Sequence, residues 1–143
     1  MNSENKKRYL VYARESERDI NGVPKGISAN DQKQECIRHV EIIGGEVATV
    51  FMDMNRTGKT ILDYYKCLYD KFDGIVVYDL TCLSSSVKDL MKIMEVFKED
   101  GKEIISVIEK IDFNSPIGRA GMLMMAVSRE CMESIYNPEK RSA

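Results

Sequence analysis

The sequence has a single histidine, His39, and its four cysteines, Cys36, Cys67, Cys82 and Cys131, show no C-x-x-C spacing. That scarcity leaves no credible zinc set, and the cysteines read as reduced thiols of a cytoplasmic protein. An excess of positive charge is also missing: the formal net charge is -2 and the isoelectric point is near 5.5. A self-sufficient nucleic-acid binder usually carries a basic field, so if DNA is the partner something else must hold it. No apolar run is long enough to span a bilayer, and the segment from Met1 to Arg8 is polar, so neither a membrane anchor nor a signal peptide is expected. Internal repeats and low-complexity tracts are absent as well.

What is present fits one domain. A chain of 143 residues with 43% hydrophobic content can bury a proper core. The patterned region runs from residue 9 to 136, between a polar tail at 1–8 and a short tail at 137–143. Its first stretch, Tyr9-Leu10-Val11-Tyr12-Ala13-Arg14-Glu15-Ser16, is an apolar β-type run that ends in an arginine and a serine two positions apart. Period-2 geometry places Arg14 and Ser16 on one side of the strand end, a hydroxyl beside a guanidinium whose donors match phosphate oxygens.

The segment Glu17 to Ile27, with Asn21-Gly22, Pro24 and Gly26, reads as a mobile loop. Ser28 with Asp31 marks a helix start, and Cys36, Ile37, Val40 and Ile43 keep helical spacing until Gly44-Gly45. Val47 to Phe51 is a second strand leading to Asp53. Ile61, Leu62, Tyr65, Leu68, Tyr69 and Phe72 fall on one helical face, and Gly74 to Tyr78 is a continuous apolar strand of the kind buried on both sides. Ser86 caps a helix striped by Val87, Leu90, Met91, Met94 and Phe97, Ile104 to Ile108 is strand four, and Ser115-Pro116 opens a last helix. From Ala120 to Val127 that helix is apolar on every face, more than a sheet surface requires, so one face is expected to meet another subunit. Alternating strands and helices predict an α/β domain with a mainly parallel sheet of about four to five strands.

Three motifs have simpler explanations. Gly58-Lys59-Thr60 lacks the glycine that a phosphate-binding loop needs five residues earlier, where Asp53 stands. The run Met122 to Met125 reads as core or dimer packing. Cys82, with no histidine base nearby in sequence, reads as a buried inert thiol.

Laid end to end, the motifs resemble the catalytic domain of the serine site-specific recombinases, the resolvase/invertase family, from about Tyr9 to Glu133. Tyr12-Ala13-Arg14-Glu15-Ser16 is similar to the family's Y-x-R-V-S segment, and Ser28 to Gln32 to its S-x-x-x-Q helix start. Asp53 with Gly58-Lys59 resembles D-x-x-x-S-G-K, and Ile111-Asp112 with Ser115-Pro116-Ile117-Gly118-Arg119 resembles the I-D-T-x-T-P-x-G-R lead into the long dimer helix. The resemblance implies a cofactor- and metal-free DNA transesterification through a 5′-phosphoserine, with Ser16 as nucleophile, Arg14 on the scissile phosphate, and Gln32 and Asp53 supporting the pocket. Its implied partners are DNA and a second recombinase subunit, the same chain or an intact relative, paired through residues 117–135.

The sequence also departs from that pattern. The family's D-R-L-x-R segment aligns with Thr81, Cys82, Leu83, Ser84 and Ser85, so its acid and both arginines are replaced. A further family arginine falls where Ile61-Leu62-Asp63 stand, and the glutamate of the long helix aligns with Met132, next to Glu133. Losing several transition-state donors predicts impaired cleavage, and a non-catalytic pairing or regulatory role is the alternative. No separate DNA-binding domain is expected within these residues.

Overall fold

The computed structural model describes residues 6–15, 20–21, 26–54, 60–68, 72–84, 86–110 and 115–136, the side chains of Glu133 and Tyr136 excepted. Four strands, β1 (Arg8–Arg14), β2 (Glu46–Asp53), β3 (Gly74–Val77) and β4 (Glu103–Ser106), form one sheet in the order β2-β1-β3-β4. All three pairings are parallel. The helices are α1 (Ala29–Ile42), α2 (Tyr65–Leu68), α3 (Leu80–Leu83), α4 (Val87–Glu99) and α5 (Pro116–Tyr136).

β1 lies between β2 and β3, and every residue from Tyr9 to Ala13 is buried. Because side chains alternate, Tyr9 and Val11 pack with Cys36 and Val40 of α1, while Leu10 and Tyr12 join the larger core with Leu90, Ile93 and Phe97 of α4 and Met122 of α5. Within that core the Phe97 ring meets Tyr65 at 5.2 Å and Phe72 at 6.2 Å between centroids. The apolar run at β3 is buried throughout, as its unbroken hydrophobicity predicts.

Helix starts follow their caps. Ser28 Oγ accepts from the Asp31 N–H (3.1 Å), Ser86 Oγ from the Asp89 N–H (3.3 Å), and Ser115 Oγ from the Gly118 N–H (2.9 Å). Gly44, at φ +77°, ends the turn after α1 in a conformation that suits glycine. The stripe from Ile61 to Phe72 does not form one helix. Thr60 and Asp63 close a capping box on the 3-10 turn Ile61–Asp63, and α2 covers only four residues after it. Tyr65 instead donates its hydroxyl to Asp100 Oδ2 (2.6 Å), and Phe72 lies against Tyr65 and Phe97. Of the stripe, Ile61, Tyr65 and Phe72 are buried and Leu62 and Leu68 half-buried, while Tyr69 lies outside the described residues.

Gly74 sits where strands meet side chains: a Cβ there would lie 2.9 Å from Glu103 Cβ and 3.0 Å from both Glu103 O and Tyr9 Cε1. Gly74→Ala should therefore lose about 1–3 kcal/mol from overpacking, read as a lowered urea midpoint at unchanged slope. A midpoint equal to the parent's would mean β3 and β4 shift freely at this point.

Candidate active site

In a parallel sheet whose strand order reverses about β1, the crevice beyond the carboxyl ends of β1 and β3 is the natural place for a ligand. Of the side chains marked by sequence, Arg14, Gln32, Asp53, Thr81 and Cys82 gather at this edge. Arg14 ends β1, half-buried, and Asp53 ends β2 beside it, paired in register and only 4% exposed. The Glu15 N–H donates to the Asp53 carbonyl (3.0 Å), which extends the β1–β2 pairing one residue further.

On the side of β1 away from β2, β3 has already turned, and the Gln32 side chain stands in for the missing strand. Its Oε1 accepts the Arg14 N–H (3.0 Å), and its Nε2 donates to the carbonyls of Arg14 (2.8 Å) and Ile27 (3.1 Å). Oε1 also accepts the Cys82 thiol proton (3.3 Å), so two donors and two acceptor positions are all used. This fixes the amide's orientation, since the reverse would face its NH2 to two donors. Cys82 is buried, and burial, reinforced by the Asp79 carboxylate, holds its thiol well above the ordinary cysteine range. It is a packing and hydrogen-bonding residue here, not a nucleophile.

Tyr12, wholly buried, donates its hydroxyl to Asp53 Oδ2 (3.3 Å). Burial raises the Tyr12 pKa first of all, the nearby Arg14 cation works against it, and Asp53 raises it further. Tyr12 therefore stays a hydrogen-bond donor to Asp53 at any physiological pH. The spacing at Tyr12 gave this partner no signal, because the pair joins positions on two strands.

α3, a single turn too short to show a helical period in sequence, follows its cap Asp79. Asp79 Oδ1 accepts from the Cys82 N–H (3.2 Å) and from the Thr81 hydroxyl, capping the turn. Thr81 is exposed on α3. A continuous hydrogen-bonded path thus runs Arg14, Gln32, Cys82, Asp79, Thr81. Glu109 closes the flank, accepting from the Leu80 N–H and the Ser106 hydroxyl, both at 2.8 Å. Only the Asp-x-x-Cys spacing of a helix cap could have revealed Asp79 in sequence.

On α5, Glu130 Oε1 accepts the Val87 N–H (2.7 Å) at the start of α4, a carboxylate at a helix amino terminus. Met132 is 50% exposed and lies with Met124, Met125, Ser128 and Arg129 along a shallow cleft of α5 whose lining includes none of the Arg14 cluster. Ser16, Ser85, the turn Asn55 to Lys59 and the Ile111-Asp112 pair lie outside the described residues, as does most of the segment Glu17 to Ile27. A separate cleft of about 360 Å³ at the opposite end of the sheet, lined by Lys7, Lys98, Lys102, Glu103 and Arg119, does not adjoin this cluster. Among the described residues no three His, Cys, Asp or Glu side chains are grouped to hold a metal, and no helix is long and apolar enough to cross a membrane.

Comparison with known proteins agrees with this architecture. The N-terminal catalytic domain of TP901-1 integrase superposes with a TM-score of 0.67 at 24% identity, covering 90% of this chain and 98% of that one. A resolvase family site-specific recombinase from Streptococcus pneumoniae gives 0.65 at 17% identity, covering 96% and 99%. The C-terminal catalytic domain of ISC1926 TnpA, an IS607-like serine recombinase, gives 0.54 at 20% identity over 84% and 78%. No curated protein matches the sequence. The family described as Resolvase, N terminal domain, matches residues 9–142. With that match covering nearly the whole chain, and with the fold shared by these catalytic domains, the protein belongs to the resolvase N-terminal domain family of serine recombinases.

Proposed function

We propose that this domain cleaves and rejoins DNA during site-specific recombination, with Ser16 attacking a backbone phosphate to form a 5′-phosphoserine and Arg14 binding that phosphate. Gln32 and Asp53 support the site. The observation that carries this reading is the Gln32 clamp, which fixes both backbone groups of Arg14 at the carboxyl edge of the sheet. Rigidly held groups around the phosphate are what phosphoryl transfer asks of a protein, since its work there is positioning and stabilising charge. Cleavage is slow in this proposal. Thr81 and Cys82 bring no charge where the family has an acid and an arginine, Ser85 and Met132 bring none at their positions, and Cys82 is turned inward to Gln32. The domain works in the cytoplasm, on DNA that a further DNA-binding element presents to it.

A second reading rests on α5. Met122 and Ala126 are buried against the core, whereas Ile117 is 87%, Met124 71% and Ile135 58% exposed. This apolar face suits pairing with another copy or with an intact recombinase, a role that does not need cleavage.

One experiment separates the two. The protein is incubated with supercoiled plasmid carrying the DNA that flanks its own gene, quenched in denaturant, and searched by mass spectrometry for nucleotide on Ser16. An adduct that vanishes in Ser16→Ala supports the enzyme. No adduct, together with sedimentation showing that Met125→Glu dissociates an assembly that Ser16→Ala leaves intact, supports the pairing role.

A further inference from the structure

We propose that the cleft at the amino end of the strands binds a small organic phosphate of nucleotide size. Its described lining brings four cations, Lys7, Lys98, Lys102 and Arg119, together with one carboxylate, Glu103, an excess of positive charge in a chain whose net charge is -2. A cleft between low-dielectric walls focuses such a field, and phosphate oxygens are acceptors that lysine and arginine match well. The volume of about 360 Å³ lies within the range of small-ligand sites.

The backbone and its neighbours hold these cations in place before any ligand arrives. α4 ends in a Schellman motif: Gly101, at φ +68°, donates its N–H to the Lys98 carbonyl (3.1 Å), and the Lys102 N–H donates to the Phe97 carbonyl (2.8 Å). This one tight turn sets Lys98 and Lys102 about the cleft. The Val96 carbonyl accepts from the Asp100 N–H (3.1 Å), so these three carbonyls of the helix end, which would repel an anion, have donors already. Lys102 Nζ donates to the Phe72 carbonyl (2.6 Å) and lies 4.4 Å from the centre of the Phe72 ring. Both oxygens of Glu103 are turned to protein donors, Oε1 to Lys7 Nζ and Oε2 to the Tyr9 hydroxyl (3.3 Å). Lys98 differs from the rest: it is exposed, and its ammonium has no hydrogen-bond or ion-pair partner among the described residues.

Below the charges the cleft is apolar. Met94, Phe97 and Ile104 are buried, whereas the four cations are exposed or half-buried above them. A ligand that suits both layers has a phosphate at one end and an apolar body at the other, as a mononucleotide does. Duplex DNA suits the cleft poorly, because its phosphates follow one another along an exposed ridge. DNA engaged by Arg14 would also lie at the other end of the sheet, so binding here needs no cleavage there.

The test is calorimetric titration of the protein with adenosine 5′-monophosphate, beside adenosine, inorganic phosphate and a short DNA duplex. The parent should bind the nucleotide about tenfold or more tightly than adenosine or phosphate, and added salt should weaken that binding. Lys98→Glu reverses an exposed charge and should cost at least about tenfold in affinity, Lys98→Gln less. Lys92→Glu makes the same change in net charge on another face of α4, where it lines a separate groove with Glu95 and Glu130, and should bind as the parent does. Thermal unfolding verifies that each variant is folded. No binding of the nucleotide, binding no tighter than that of adenosine or of phosphate, parental affinity in both Lys98 variants, or a Lys92→Glu variant as weak as Lys98→Glu overturns the proposal. A duplex that binds more tightly than the nucleotide and loses that affinity in Lys98→Glu overturns it in favour of a DNA contact.

Discussion

Gln32→Leu should unfold at a urea concentration corresponding to a loss of about 2–4 kcal/mol, although leucine is nearly as large and apolar. Leucine leaves the Arg14 N–H and the Arg14 carbonyl without the Gln32 amide and takes one donor from the Ile27 carbonyl. A buried backbone group left unpaired costs about 1–3 kcal/mol, and the partial exposure of Arg14 lets water recover some of it, so the sum falls short of the full penalty for both Arg14 groups. The Cys82 thiol loses its acceptor too, at smaller cost because S–H is a weak donor. Gln32→Glu makes a sharper comparison. It keeps the acceptor for the Arg14 N–H but puts a carboxylate against two carbonyls, so it should be at least as harmful at neutral pH and recover in acid, where the protonated group can donate to one of them. If Gln32→Leu unfolds with the parent, the clamp contributes nothing to holding the strand end, and the argument for a preorganised Arg14 fails with it.

Phe97→Ala is expected to cost about 3–5 kcal/mol, a large share of the roughly 5–15 kcal/mol that holds a domain together. Phe97 is fully buried and is the meeting point of Tyr65, Phe72 and the sheet. Its loss removes both ring contacts and leaves a void that α4 can close only by leaving Ile93 and Leu90 displaced from the sheet. Calorimetry should show a melting temperature lowered by well over 5 °C for a domain of this size. A drop of only a degree or two would mean that α4 collapses onto β4 without strain.

The fold was legible in sequence wherever one local rule decided the outcome. Buried strands at Leu10 to Ala13 and Ile75 to Val77 follow from unbroken apolar runs, and the helix starts at Ser28, Ser86 and Ser115 from side-chain caps. Where the rule was not local, it misled or was silent. The stripe from Ile61 to Phe72 has helical period, but the Thr60–Asp63 box and the Tyr65–Asp100 bond, formed across 35 residues of chain, break it into short turns. Glu130 gave no sign that it would reach the amino end of α4, since its partner is a backbone group 43 residues away. Asp79, by contrast, caps α3 through purely local bonds from Thr81 and Cys82, which the Asp-x-x-Cys spacing could have revealed. Motif similarity singled out Arg14, Gln32 and Asp53, and the hydrogen bonds show what the glutamine on α1 holds: both backbone groups of Arg14.

The central place of β1 has a consequence for how the chain is made. Among the described strands of this sheet β1 is synthesised first, yet its neighbours follow much later: Val50 is the partner of Val11 on one edge and Val76 on the other. At about 5–20 residues per second, the ribosome takes roughly 3–13 s to add the approximately 65 residues between Val11 and Val76. During that interval the sticky segment Tyr9 to Ala13 has at least its β3 edge open. A nascent chain of this protein is therefore most exposed to chaperones, and to misassociation with its neighbours on a polysome, in the seconds before β3 leaves the exit tunnel.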